Sequence, residues 1–74
     1  MELVKTIKIS KEFPGRIGWV VAVWFFDPEA PKDDFGDVLS FRTIDEVEGK
    51  PIEDMNRALE AIVILINKHL RGDA

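Results

Sequence analysis

The chain of 74 residues has no cysteine and only one histidine, His69. Disulfide staples and thiolate metal sites are therefore excluded, and a lone imidazole would need several carboxylates beside it to hold zinc. Domains of this size usually depend on a disulfide, a metal or a partner chain for their stability. Because no metal or cofactor site is indicated, the sequence predicts either an efficient core or a second chain.

Long apolar runs are also missing. The longest spans residues 18–26, whereas a membrane-spanning helix needs about 20 apolar residues. The N-terminal segment MELVKTIKIS has none of the basic lead, apolar stretch and small-residue cleavage site that define a signal peptide. We therefore expect one cytoplasmic domain over residues 1–74, with no membrane partner. The net charge of −4 argues against a broad duplex-DNA footprint.

What the sequence does contain is three strand patterns in succession. Alternation of apolar and polar residues predicts strands over residues 3–12, 16–27 and 38–44. The segment FPGR supplies a turn between the first two, and a loop rich in proline and aspartate over residues 27–37 follows the second. Three apolar residues of the first strand are expected to share one face: Leu3, Ile7 and Ile9.

A helix pattern completes the chain over residues 51–71, with Pro51 in its first turn and Gly72 as its stop. The order is therefore βββα. In an antiparallel meander the second strand is central, and a helix of this length can lie across one face of the sheet. The predicted fold is α+β: a three-stranded antiparallel meander with one C-terminal helix packed on one face.

The second strand is apolar on both of its faces, and one helix can cover only one of them. The first face carries four residues that we expect under the helix: Trp19, Val21, Val23 and Phe25. The other face carries four more: Val20, Ala22, Trp24 and Phe26. Contiguous exposed apolar patches usually mark interaction sites, and most homo-oligomers are two-fold dimers. We therefore expect a second copy of the chain to cover the second face.

The predicted helix carries more apolar surface than the sheet requires. A projection at 100° per residue gives one stripe that we expect to pack on the sheet: Ile52, Met55, Leu59, Ile62, Val63, Ile66 and Leu70. Three further positions widen the apolar arc and are expected at the dimer interface: Ala58, Ala61 and Leu65.

The sequence contains few residues that are suited to catalysis. Ser10 and Ser40 lie in no recognisable nucleophile motif, and His69 is expected near the helix C-terminus, where a positive charge is favoured. The acidic loop lacks the ligand spacing of an EF-hand and is expected to be a solvated cap without metal. The sequence thus predicts a non-catalytic homodimeric module that binds another protein or has a regulatory role.

Single-stranded nucleic-acid binding is the alternative. The first hairpin is basic and the second strand is aromatic, and unpaired bases stack on aromatic side chains that lie beside cations. Five residues would make the contact: Lys5, Lys8, Lys11, Arg16 and Trp24. No charge stands between Trp24 and Phe26 along the strand, which favours protein interaction over this alternative.

Overall fold

The computed structural model describes residues 1–12 and 14–72. Its elements follow in this order: β1 (Leu3–Ser10), β2 (Val20–Phe26), β3 (Leu39–Ile44), β4 (Glu46–Val47), β5 (Lys50–Pro51) and α1 (Met55–Leu70). The first three strands form an antiparallel sheet in the order β1-β2-β3, and β4 and β5 form a separate two-stranded hairpin. The predicted α+β meander with a C-terminal helix is confirmed. No helix in the described part of the chain is long and apolar enough to cross a membrane.

The turn predicted at FPGR joins β1 to the segment before β2. Phe13 of that turn lies outside the described residues. Gly15 has a φ of 79°, which is the left-handed conformation that glycine adopts without steric cost. The glycine of the predicted turn therefore has the backbone conformation that a type II turn requires.

The β4-β5 hairpin was not predicted, and it delays the start of the helix. Its two turn residues, Glu48 and Gly49, have φ angles of 54° and 77°, and hairpin turns of the I′ type require positive φ at both positions. Pro51 therefore belongs to β5, and the helix starts at Met55 rather than at residue 51. Asp54 is the N-cap: its side chain accepts a hydrogen bond of 2.8 Å from the backbone N–H of Arg57.

The hairpin is joined to the start of β2 by a close backbone contact. The Trp19 N–H donates to the Ile52 carbonyl at 2.6 Å, so Ile52 bridges to the sheet instead of belonging to the helix. Gly18 makes the approach possible. It has a φ of 92°, and a Cβ atom there would lie 2.9 Å from the Cβ of Pro51.

A bulge in β1 changes the predicted face of Leu3. The register of β1 against β2 shifts between Val4 and Thr6, and a bulge inserts one extra residue on one strand. Leu3 consequently pairs with Phe26, whereas Ile7 pairs with Val23. Residues that pair directly across strands share a face, so Leu3 lies on the face opposite to Ile7 and Ile9. The prediction that all three share a face is wrong.

The core lies between the sheet and the helix. Val21, Val23 and Phe25 are 0–1% exposed and pack with α1 and with Val47 of β4. Trp19 is partly buried at the margin of this cluster. The face of β2 that we expected under the helix is therefore the one that the helix covers. We call this side of the sheet the inner face and the opposite side the outer face.

The part of the helix that packs on the sheet coincides only in part with the predicted stripe, of which Ile62 and Ile66 pack against the core and Ile52 is fully buried ahead of the helix. Ala58, Ala61 and Leu65 are the buried helix residues, whereas four members of the stripe are 46–64% exposed: Met55, Leu59, Val63 and Leu70. Small alanine side chains let the helix backbone approach the sheet, and the large side chains of β2 fill the space between them. Because all three residues are buried within one chain, the expectation that Ala58, Ala61 and Leu65 form an exposed dimer surface is also wrong.

Candidate interaction surfaces

The outer face of the sheet carries a contiguous apolar surface. Register places Trp24 opposite Phe41 and Phe26 opposite Leu39, and Leu3 pairs with Phe26 from the other side. The helix packs on the inner face, and no other strand or helix of the described residues lies over these side chains. Val20 lies on the same face, as does Ala22, which is only 9% exposed. Of this surface, sequence patterning assigned the four residues of β2 to a second copy: Val20, Ala22, Trp24 and Phe26.

Aromatic rings and cations meet on this outer face across neighbouring strands. The rings of Trp24 and Phe41 stack with their centroids 5.8 Å apart and their planes at 22°. The Lys5 ammonium lies 5.2 Å from the centroid of the Phe26 ring and 3.7 Å from a carboxylate oxygen of Asp37. Cations at this distance are attracted to the ring face.

The five residues expected to contact nucleic acid are divided between two ends of the sheet. Lys8 pairs with Ala22 and so shares the outer face with Trp24 and Lys5. Lys11 and Arg16 lie at the opposite end of β2. There the Lys11 ammonium is 4.8 Å from the centroid of the Trp19 ring, and Arg16 forms a salt bridge with Asp45 (side chains 50% and 52% exposed). The structure therefore brings three of the five residues together.

A second apolar surface lies beside the helix. Along one side of α1, an arc without charged residues contains six apolar side chains, which we call the helix flank: Met55, Leu59, Ile62, Val63, Ile66 and Leu70. On β1, the inner-face residues Val4 and Ile7 are 39% and 42% exposed, although their partners on β2 are fully buried. Sequence patterning identified the flank as apolar and assigned all of it to the sheet, whereas only Ile62 and Ile66 of its residues pack against the core.

His69 lies at the centre of a side-chain cluster near the end of the helix. Its ring stacks on Phe25 with the centroids 3.7 Å apart and the planes at 11°. Arg42 Nε donates to His69 Nδ1 at 3.1 Å, and His69 Nε2 contacts a carboxylate oxygen of Glu2. Because a guanidinium can only donate, Nδ1 accepts and the neutral ring carries its proton on Nε2. The cluster ties the segment before β1 to the helix C-terminus.

His69→Ala should therefore destabilise the fold by more than the loss of an exposed helix-end charge would. An aromatic stacking pair contributes about 0.5–1.5 kcal/mol beyond its burial, and a hydrogen bond contributes about 0.5–1.5 kcal/mol. We expect the free energy of unfolding to fall by about 1–3 kcal/mol in urea titrations. Glu2→Ala is the control and should cost less, since the Glu2 side chain is 41% exposed. Equal and negligible effects of the two substitutions would contradict this role.

The acidic loop between β2 and β3 uses its aspartates to order its own backbone. Asp27 accepts a hydrogen bond from the Glu29 N–H at 2.9 Å, and Asp33 accepts one from the Phe35 N–H at 2.8 Å. Such bonds are typical of Asx turns. Among the described residues, no group of three or more histidine, aspartate or glutamate side chains is arranged to hold a metal ion.

No protein-family model, no curated protein and no solved structure matches this chain.

Proposed function

We propose that the chain is a non-catalytic, homodimeric protein-interaction module. The observation that carries this proposal is its excess of accessible surface. The single chain exposes 5471 Å², whereas a compact monomer of its mass exposes about 4,600 Å². The difference is close to the roughly 800 Å² that each partner contributes to a protein interface of standard size.

The dimensions of the chain support the same conclusion. Its radius of gyration is 13.6 Å and its extents are 38 × 26 × 19 Å, whereas a compact domain of this length has a radius of gyration of about 11 Å. The excess surface includes large apolar side chains on the outer face and on the helix flank. Contiguous exposed apolar surface of this kind usually marks a site where another chain binds.

The state of His69 supports a role other than catalysis. A general base needs a ring nitrogen within hydrogen-bond reach of the proton that it abstracts. Nδ1 already accepts from Arg42 and Nε2 already contacts Glu2, and one face of the ring is covered by Phe25. These contacts of His69 stabilise the fold.

The proposal predicts that thermal stability depends on protein concentration. Dissociation accompanies the unfolding of a dimer, so mass action raises the melting temperature as the concentration increases. We expect a rise of several degrees by circular dichroism when the concentration increases about 100-fold. A melting temperature that is constant over this range would contradict dimerisation.

Binding of single-stranded nucleic acid is a second candidate, favoured by one arrangement on the outer face. The stacked pair of Trp24 and Phe41 shares the outer face with Lys8, which pairs with Ala22, and with Lys5, which lies over Phe26. Bases stack on such aromatic surfaces when cations contact the phosphates. The pattern along β2 alone shows no charge on this face, because both lysines come from the neighbouring strand β1.

The two functions are distinguished by titrating the chain with a thymidine oligonucleotide. If nucleic acid binds, tryptophan fluorescence should be quenched, and the quenching should weaken steeply as salt increases. Trp24→Phe separates the signal of Trp24 from that of Trp19. An unchanged spectrum at low salt would exclude this second candidate.

A further inference from the structure

An open groove lies between α1 and the β4-β5 hairpin, and we call it the hairpin groove. Val47 and Glu48 of the hairpin line one wall. Five residues of α1 at spacings of three and four, which share one side of the helix, line the other wall: Asn56, Leu59, Glu60, Val63 and Ile64. The groove has a volume of about 460 Å³, within the range of about 300–1,000 Å³ that is usual for ligand sites.

The middle of the hairpin groove is apolar and accessible. Leu59 and Val63 are 53% and 57% exposed, and they stand beside Val47, which is 3% exposed, and Ile64, which packs against the core. Large apolar side chains in an accessible concavity are the kind of surface that protein interfaces bury.

The two walls of the groove are held in place by contacts within the single chain. The Arg57 guanidinium donates to the Val47 carbonyl at 3.1 Å and joins the helix to the hairpin. The Trp19 N–H donates to the Ile52 carbonyl and joins the end of the hairpin to the sheet. The groove therefore exists before a partner binds, so little ordering has to accompany binding.

The rim of the groove is acidic. Glu48 on the hairpin and Glu60 on the helix are both exposed, and neither forms a salt bridge with another described residue. Residues 46–60 carry five carboxylates and two cations, and one of these cations, Arg57, is bound to a backbone carbonyl. A surface of this charge attracts a cationic partner and disfavours phosphates and a second copy with its net charge of −4.

Glu48 lies at a turn position that does not itself favour glutamate. Its φ is 54°, and hairpin turns of this type usually have asparagine, aspartate or glycine where φ is positive. The turn therefore gains nothing from a glutamate side chain, whereas the groove gains a carboxylate on its rim.

Resting on the proposed role in protein interaction, we propose that the hairpin groove binds a basic, apolar segment of another protein. Leucine-like side chains of this segment contact Leu59 and Val63, and its lysine or arginine side chains lie beside Glu48 and Glu60. The apolar contacts supply most of the affinity, and the charges select against acidic segments. The outer face takes no part in this contact and stays available to a second copy.

The first experiment uses a fluorescein-labelled peptide of about 12 residues, which spans about 18 Å as a helix. It consists of lysine with leucine along one helical face, and fluorescence anisotropy should show binding to the wild type in the micromolar range. In the matched peptide glutamate replaces every lysine, and it should bind at least about 10-fold more weakly. Equal binding of the two peptides, or no binding of the lysine peptide at about 1 mM, would overturn the proposal.

Substitutions in the groove and on the outer face locate the contact. Leu59→Gln keeps a residue of good helix propensity and should weaken binding of the lysine peptide by at least about 10-fold. Leu39→Gln is the matched control, because Leu39 is 47% exposed on the outer face, and it should bind like the wild type. Circular dichroism verifies that both variants are folded. Weaker binding by Leu39→Gln with normal binding by Leu59→Gln would place the peptide on the outer face and overturn the proposal.

A second variant covers the case in which Leu59→Gln fails to fold. Val63→Gln replaces a β-branched residue by a better helix former, so the chain should fold, and binding should weaken in the same way. Normal binding of the lysine peptide by a folded Val63→Gln variant would overturn the proposal.

A further pair of variants separates the rim of the groove from the net charge of the chain. Glu48→Asn removes a rim carboxylate and supplies a residue that the turn favours. Binding of the lysine peptide should weaken about 2–5-fold, and the melting temperature should not fall. Glu29→Asn is the matched control, since Glu29 follows the end of β2 whereas the hairpin bridges to Trp19 before its start. At about 0.1 M salt the Debye length is about 10 Å, so Glu29→Asn should bind like the wild type. Equal weakening by both variants would overturn the proposal.

Sedimentation of the wild type separates this inference from the proposed dimer. A chain that has twice its own mass and does not bind the lysine peptide overturns the groove and leaves the dimer standing. A monomer that binds the peptide and loses binding in Leu59→Gln supports the groove and overturns the dimer.

Discussion

Val21→Lys should prevent the chain from folding. Val21 is 0% exposed and lies between the sheet and the helix in the core cluster. An ammonium at this position would lie among apolar side chains, and the effective penalty for a buried unpaired ion is several kcal/mol. Domains are stable by about 5–15 kcal/mol in total, and a chain of this length is near the lower end of that range. Circular dichroism should show loss of the helical signal, or the protein should fail to accumulate.

Ala22→Lys is the matched control for this substitution. Ala22 is the next residue along β2 and points to the outer face, where it is 9% exposed between its cross-strand neighbours Lys8 and Thr43. The aliphatic stem of the introduced lysine can lie across neighbouring rings while its ammonium reaches water. We expect a folded protein with a melting temperature modestly below that of the wild type, because the new ammonium lies directly across from Lys8 and like charges at paired positions are mildly destabilising. Loss of folding in both variants, or in Ala22→Lys alone, would contradict the assignment of the two faces of β2.

Phe25→Ala should give the largest loss of stability among truncations of single aromatic residues. Phe25 is 1% exposed, packs against the helix and carries the stacked ring of His69. Truncation of a buried phenylalanine to alanine costs about 3–5 kcal/mol, because transfer free energy is lost and a cavity remains. Urea titration should show a large decrease in the unfolding midpoint with the slope unchanged.

Phe41→Ala provides the comparison on the outer face. Phe41 is 62% exposed, so its truncation removes the stacking contact with Trp24 but leaves no cavity in the core. We expect a decrease in the free energy of unfolding of about 1 kcal/mol or less. A Phe41→Ala variant that is destabilised as much as Phe25→Ala would mean that the outer face is covered within the single chain.

Periodicity in the sequence predicted the three long strands, the helix and the buried face of β2. These elements are recognisable because their patterns are local: alternation places Val21, Val23 and Phe25 on one side whatever the rest of the chain does. The β4-β5 hairpin was not predicted because its first turn residue is Glu48, which adopts a positive φ. Asparagine or glycine is usual at such a position and would have indicated a hairpin turn. The face of Leu3 was predicted wrongly because a bulge shifts the register in β1.

The interaction surfaces depend on packing and could not be predicted in the same way. A helical projection shows that α1 is apolar over a wide arc. The part of the arc that packs on the sheet and the part that stays exposed have the same periodicity, so the projection does not distinguish them. The side that approaches the sheet is decided by residue size, and Ala58 and Ala61 allow the closer contact. The position of Lys5 beside Phe26 and of Lys8 opposite Ala22 requires the register of β1 against β2. His69 could be placed at the helix end from sequence, but its contacts with Phe25, Arg42 and Glu2 join distant segments.

The mass of the wild-type chain in solution tests the central claim most directly. Sedimentation equilibrium at micromolar concentrations should give twice the chain mass of 8.4 kDa, with dissociation only on strong dilution. The same experiment at high salt should leave the dimer intact, because burial of exposed apolar side chains accounts for the proposed association and salt screens only charges. A mass of one chain across the whole concentration range would contradict the account.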